Sequence, residues 1–106
     1  MSRLTEVLDR LAATIEARRG ADPASSWTAK LLADPTLAAK KLGEEAIEAV
    51  LAAALKDGDA LAAESADVLY HLLALLAASG VSLDEVAAKL EAREGRSGVD
   101  EQAGRS

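Results

Sequence analysis

The chain has 106 residues, enough for one compact domain that buries roughly 60–70 % of its unfolded surface and too few for two. Its apolar half is dominated by 25 Ala and 17 Leu beside one Trp, one Tyr and no Phe, which favours helices, because strands draw on β-branched and aromatic residues. Cysteine is absent and histidine occurs once, at position 71, so a disulfide framework, a thiolate metal site, a cysteine nucleophile and a zinc site with two imidazoles are all excluded. The net charge of −6 argues against nonspecific nucleic-acid binding, which needs clustered Lys and Arg. A nucleotide substrate stays open, since divalent ions can bridge an acidic surface to a polyphosphate.

Leu4, Leu8, Leu11, Ala12 and Ile15 follow the spacing of an amphipathic helix over residues 4–19, with Gly20 placed to close it. Residues 20–26 read as a loop, and Ser25 or Ser26 can cap a short helix ending near Ala33. Asp34 followed by Pro35 is the favoured order of N-cap and first helical residue, and opens a third helix to Lys56. Asp57-Gly58-Asp59 breaks that helix and caps a fourth, so the two form an antiparallel hairpin folding about residues 57 and 58. The fourth helix ends at Gly80. Ser82 and Glu85 form a capping box for a fifth, which Gly95 closes. The expected organisation is an all-α domain over residues 1–95, a four- to five-helix bundle subunit around a central antiparallel hairpin, then a polar tail over 96–106.

The N-terminal residues lack the apolar core of a signal peptide, and an unbroken apolar run such as Leu72 to Ala78, which none exceeds in length, is too short to span a bilayer. A soluble, cytoplasmic protein without membrane partners is expected. From Val68 to Ala78 the fourth helix is apolar on nearly every side, interrupted only by Tyr70 and His71. Burying such a helix takes more protein than one small subunit supplies, which predicts an intertwined or tightly packed homodimer. The plainer alternative is an Ala-rich helix at the centre of a monomer.

Glu44, Glu45 and Glu48 fall within an arc of about 100° on the third helix, and Glu64 and Asp67 lie about 60° apart on the fourth. A hairpin folded about residues 57 and 58 sets Glu48 level with Asp67, and the five carboxylates span roughly 10 Å along the axis. Like charges repel, so stability alone would not gather them, and a hard divalent ion with oxygen ligands, Mg²⁺ or Mn²⁺, is the fitting occupant. The alternative is a solvated acidic face paired with Lys40 and Lys41.

Glu44-Glu45-x-x-Glu48 followed by Glu64-x-x-Asp67 resembles the metal-binding signature of the all-α NTP pyrophosphohydrolases, the MazG-like superfamily. Lys41 to Ala46, Ala66 to Leu73, Ser25 to Thr28 and the C-terminal Ser97-Gly98-x-x-Glu101 are together similar to the phosphoribosyl-ATP pyrophosphohydrolases of histidine biosynthesis, over essentially the whole chain. Trp27 departs from that pattern, standing where a tyrosine is expected. The resemblance implies Mg²⁺-dependent hydrolysis of phosphoribosyl-ATP to phosphoribosyl-AMP and pyrophosphate by a dimeric helical protein, with Glu44, Glu45, Glu48, Glu64 and Asp67 as metal ligands. Glu45 is the candidate general base. Lys30, Lys41, Arg18, Arg19 and Arg96 are candidates for substrate phosphates, each also readable as an ordinary surface charge. His71 reads first as a hydrogen-bonded core residue, and the resemblance places Arg96, Ser97 and Gly98 near the substrate. A general NTP pyrophosphohydrolase, or a non-catalytic dimerisation module with an acidic face, are the competing readings.

Overall fold

The computed structural model describes residues 2–95. It is built from five helices, α1 (Arg3–Ala17), α2 (Trp27–Ala33), α3 (Pro35–Ala54), α4 (Gly58–Ala78) and α5 (Leu83–Glu91), with no strand among the described residues. The expected tail, including Arg96, lies outside them.

Capping chemistry sets most of the boundaries. Ser26, Asp34, Asp57 and Ser82 are N-caps whose side chains accept from backbone N–H groups three residues on, and Ser82 and Glu85 complete the reciprocal capping box. α4 closes as foreseen: the Val81 amide donates to Leu76 and the Gly80 amide to Ala77, with Gly80 at φ +72°.

The end of α3 differs from the sequence expectation. α3 stops at Ala54, and the residue that turns the chain is Lys56, at φ +57°, not the Asp57-Gly58 step. The Asp57 amide donates to the Ala52 carbonyl and the Lys56 amide to Ala53, a Schellman closure with lysine where glycine is usual. Asp57 is thereby freed to cap α4, and Gly58 becomes its first helical residue. α3 and α4, joined by Leu55 to Asp57, run antiparallel and share the largest contact in the fold; α2 and α1 also pack on α4.

The small core uses the alanines. Leu31 of α2 is fully buried against Ala38 of α3 and Ala74 of α4, with Leu37, Tyr70 and Leu75 around them. Ile15 of α1 and Leu73 of α4 are also buried. Outside this core the hairpin is bare: Ile47, Val50 and Leu51 of α3 and Leu55 just past its end, a helical stripe, are each more than half exposed. α4 has a mean hydropathy of 1.4 over an 18-residue window, of which only 17 % is buried. By length and composition α4 is therefore long and apolar enough to cross a membrane, which the unbroken run alone did not suggest. It nevertheless carries Asp59, Glu64 and Asp67, and charged groups are costly within a bilayer.

Candidate active site

Three of the five predicted acids come together. Glu45 of α3 and Glu64 and Asp67 of α4 each present a carboxylate oxygen, and the three oxygens lie within 4.8 Å of one another. The turn at Lys56 bears on which acids meet. Reversal there, and not at residues 57 and 58, accompanies the grouping of Glu45, and not Glu48, with Glu64 and Asp67. Glu45 and Glu64 are half-buried and Asp67 is exposed. Burial, and next to it the Glu45 carboxylate, pushes the Glu64 carboxyl above its ordinary range, with Asp67 and Glu48 adding to the effect.

The other two acids stand at the edge. Lys41 Nζ donates to Glu44 Oε2 at 3.0 Å. That bond holds Glu44 below the usual carboxylate range and raises Lys41, to which Glu45 contributes a smaller effect. Glu48 is exposed, and its charge is felt at Glu64. The five-acid constellation is thus a three-acid group with two satellites among the described residues.

Around the group, α2 and α4 are tied through Thr28, whose hydroxyl shares a hydrogen bond with the Tyr70 hydroxyl. His71 is buried, and its Nδ1–H donates to the Asp67 carbonyl at 2.8 Å. With Nδ1 committed, the buried Nε2 has no partner among the described residues. His71 is a core residue, as its apolar helix suggested, but one joined to the Asp67 turn. Trp27, at the start of α2, meets the His71 ring edge-on at 6.4 Å between centroids. Lys30 and Lys41 place their ammonium groups 5.8 and 5.9 Å from the centre of the Trp27 ring. The Ser25 to Thr28 run enters the sequence reading as part of the family resemblance, with Trp27 as a departure from tyrosine, but neither Trp27 nor Thr28 is given a contact there.

Lys41 therefore lies beside the acids and Lys30 beside the indole. Arg19 does not join them. Its guanidinium pairs with Glu16 at 2.7 Å and donates to the Ala77 carbonyl. Ala77 is ten residues along α4 from Asp67, roughly 15 Å at the helical rise. Within this chain Arg19 thus stands apart from the acids, with Glu16, one turn before it, as its carboxylate partner. Arg18, the C-cap of α1, is exposed at that same end. Arg19 also borders a 270 Å³ cavity among Ile15, Leu73, Leu76, Val81 and Leu83, which includes none of the five acids. The acids occupy an open surface and not this cleft.

All three grouped donors are carboxylate oxygens, and burial first, then the neighbouring carboxylates, disfavours the Glu64 charge that a cation would offset. This donor set fits a hard divalent ion such as Mg²⁺ or Mn²⁺ and suits softer metals poorly. Residues 8–94 match the family model described as phosphoribosyl-ATP pyrophosphohydrolase. Similar curated proteins include the phosphoribosyl-ATP pyrophosphatase of Caulobacter vibrioides (strain NA1000 / CB15N), 73 % identical over 104 residues covering 98 % of this chain and 97 % of that one. The protein of the same name from Caulobacter sp. (strain K31) is 70 % identical across 99 % of this chain and 98 % of its own. That of Cereibacter sphaeroides (strain KD131 / KCTC 12085) is 64 % identical across 93 % of this chain and 97 % of its own. With the match running from α1 to the turn after α5, the chain belongs to the phosphoribosyl-ATP pyrophosphohydrolase family.

Proposed function

We propose that this protein hydrolyses N1-(5-phosphoribosyl)-ATP to phosphoribosyl-AMP and pyrophosphate, the second step of histidine biosynthesis, with Mg²⁺ as its metal and Mn²⁺ as a substitute. The observation that carries the reading is the convergence of Glu45, Glu64 and Asp67 from two packed helices in a chain of this family.

In this mechanism Glu64 and Asp67 hold the metal, with Glu44 and Glu48 as further ligands from the rim of the group. Bound Mg²⁺ supplies charge neutralisation of the triphosphate and polarisation of the phosphorus that is attacked. Glu45, half-buried against Glu64, takes the proton from the attacking water as its oxygen bonds to phosphorus; the anhydride bond breaks and pyrophosphate leaves. Lys41 lies beside Glu44 and is placed to accompany a phosphate with its ammonium charge, which Glu44 further favours. Lys30, less directly placed, serves the same end of the substrate.

The working form is a cytoplasmic, soluble homodimer. The bare stripe of Ile47, Val50, Leu51 and Leu55, continuous with a largely uncovered α4, supports pairing of two α3–α4 hairpins into a helical bundle. Pyrophosphate release from phosphoribosyl-ATP and from ATP, each with Mg²⁺ and with excess EDTA, tests the assignment. Metal-dependent release from phosphoribosyl-ATP alone is expected. Equal release from both would make the protein a general nucleotide pyrophosphohydrolase, and release from neither would leave the acids as a binding surface.

A further inference from the structure

Trp27 is the chain's one tryptophan, and it is 43 % exposed at the first turn of α2. A large aromatic side chain left partly open is ordinary by itself. Its neighbours are not. Two ammonium groups lie near its ring, at 5.8 and 5.9 Å from the centroid, close to the outer limit for a cation–π contact. Lys41, the second of these, also reaches Glu44 and so stands between the indole and the acidic group. In a protein of net charge −6, this gathers two positive charges at an aromatic face, one of which, Lys41, also reaches the edge of a candidate metal site.

The indole is held in orientation. Its ring meets His71 edge-on at an interplanar angle of 71°, and His71 is buried and bonded to the carbonyl of Asp67. The Asp67 turn thus sets both a candidate metal ligand and, through His71, the plane of Trp27. Ala29 and Leu31, which anchor α2 beneath, are buried.

We propose that Trp27 is the platform on which the purine of the substrate stacks, with Lys30 and Lys41 leaving the ring for phosphate oxygens as the base arrives. The proposal rests on the reading of the protein as a phosphoribosyl-ATP hydrolase and adds to it a residue that recognises the base. Stacking on an aromatic ring tolerates the added phosphoribosyl group, because it uses the purine face and not its edge. The polyphosphate then runs past Lys41 toward Glu45, Glu64 and Asp67. Neither ammonium holds the ring tightly, so the exchange costs Lys41 chiefly its bond to Glu44.

The sole tryptophan makes the test direct. The Mg²⁺-loaded wild-type protein is mixed with saturating phosphoribosyl-ATP in a stopped-flow fluorimeter, and emission is corrected for absorption by the purine. Emission is expected to fall on mixing and recover as substrate and product clear, while inorganic tripolyphosphate, which can draw the lysines from the ring but has no base to stack, gives a clearly smaller change. Trp27→Tyr is expected to keep KM within a few-fold, and Trp27→Leu to raise it about ten- to a hundredfold with kcat nearly unchanged. Thermal melts confirm that both variants fold, and the wild-type emission change holds independently of either. Turnover with unaltered tryptophan emission, an equal response to tripolyphosphate, or a Trp27→Leu enzyme with wild-type KM would overturn the stacking role while leaving the hydrolase reading intact. Absence of turnover by the wild-type protein would instead refute the hydrolase reading.

Discussion

Val50 sits at the middle of the uncovered α3 stripe, 66 % exposed, with Ile47 at 62 %, Leu51 at 53 % and Leu55 at 80 % on the same side. Fully burying a valine side chain is worth about 1.5–3 kcal/mol, so covering the exposed two-thirds contributes about 1–2 kcal/mol per copy. A two-fold dimer presents the same patch from both subunits, so the residue counts twice. Val50→Glu removes about 2–4 kcal/mol of association before any repulsion between the paired carboxylates, which weakens the dimer about 30- to 1000-fold. Sedimentation equilibrium across a concentration series is the assay. The wild-type protein should have twice the 10.9 kDa mass of one chain, and Val50→Glu should shift toward the single-chain mass with its helical circular dichroism intact. A wild-type protein of single-chain mass throughout, or a variant that associates as tightly as the wild type, would refute α3 as the interface.

Leu31→Ala opens a void beneath α2 whose nearest buried walls are Ala38 and Ala74, side chains too short to fill it. About 3–4 kcal/mol should be lost, lowering the urea midpoint by roughly 1.5–2 M for m near 2 kcal/mol/M at fixed protein concentration. A loss below about 1 kcal/mol would mean that Leu31 does not seat the helix. The Glu64 carboxyl, raised above its ordinary value of 4.5, makes the native state bind a proton more tightly than the unfolded chain. Metal-free stability should therefore fall as pH rises from 4.5 through the raised native value, and the deficit should persist above it. Melts in EDTA should show this downward step in the wild type and not in Glu64→Gln. Glu44 has the opposite sign: its lowered pKa gives stability that is lost only as pH falls below 4.5. A Glu64→Gln melt profile parallel to the wild type above pH 4.5 would exclude repulsion within the acidic group.

Much of the fold was legible because helix caps are local chemistry. Ser26, Asp34, Asp57 and Ser82 each stand within three residues of the amides they satisfy, so a short stretch of sequence contains both partners. The α3–α4 turn was harder to read. Gly58 is the residue that tolerates a left-handed conformation most readily, yet the strain falls on Lys56, where two amides can reach the Ala52 and Ala53 carbonyls. With that choice Glu45, and not Glu48, groups with Glu64 and Asp67. The acid types and helical arcs were readable, and their pairing was not. The placement of Arg19 is local in the way the caps are, since its carboxylate partner Glu16 lies one turn before it. The indole's relation to His71 and Lys41 joins three helices, and no sequence period reports such a contact.

The central claim is that Glu45, Glu64 and Asp67 form the reacting centre. The most direct measurement is the steady-state rate of pyrophosphate release from phosphoribosyl-ATP by Glu45→Gln at saturating Mg²⁺, with its melting temperature recorded alongside. The side chain keeps its size but can neither take a proton nor carry charge, so kcat should fall by about two to four orders of magnitude. The metal-free fold should be at least as stable as the wild type, since one repelling carboxylate beside Glu64 is gone. A Glu45→Gln protein that folds normally and retains wild-type kcat would contradict the account.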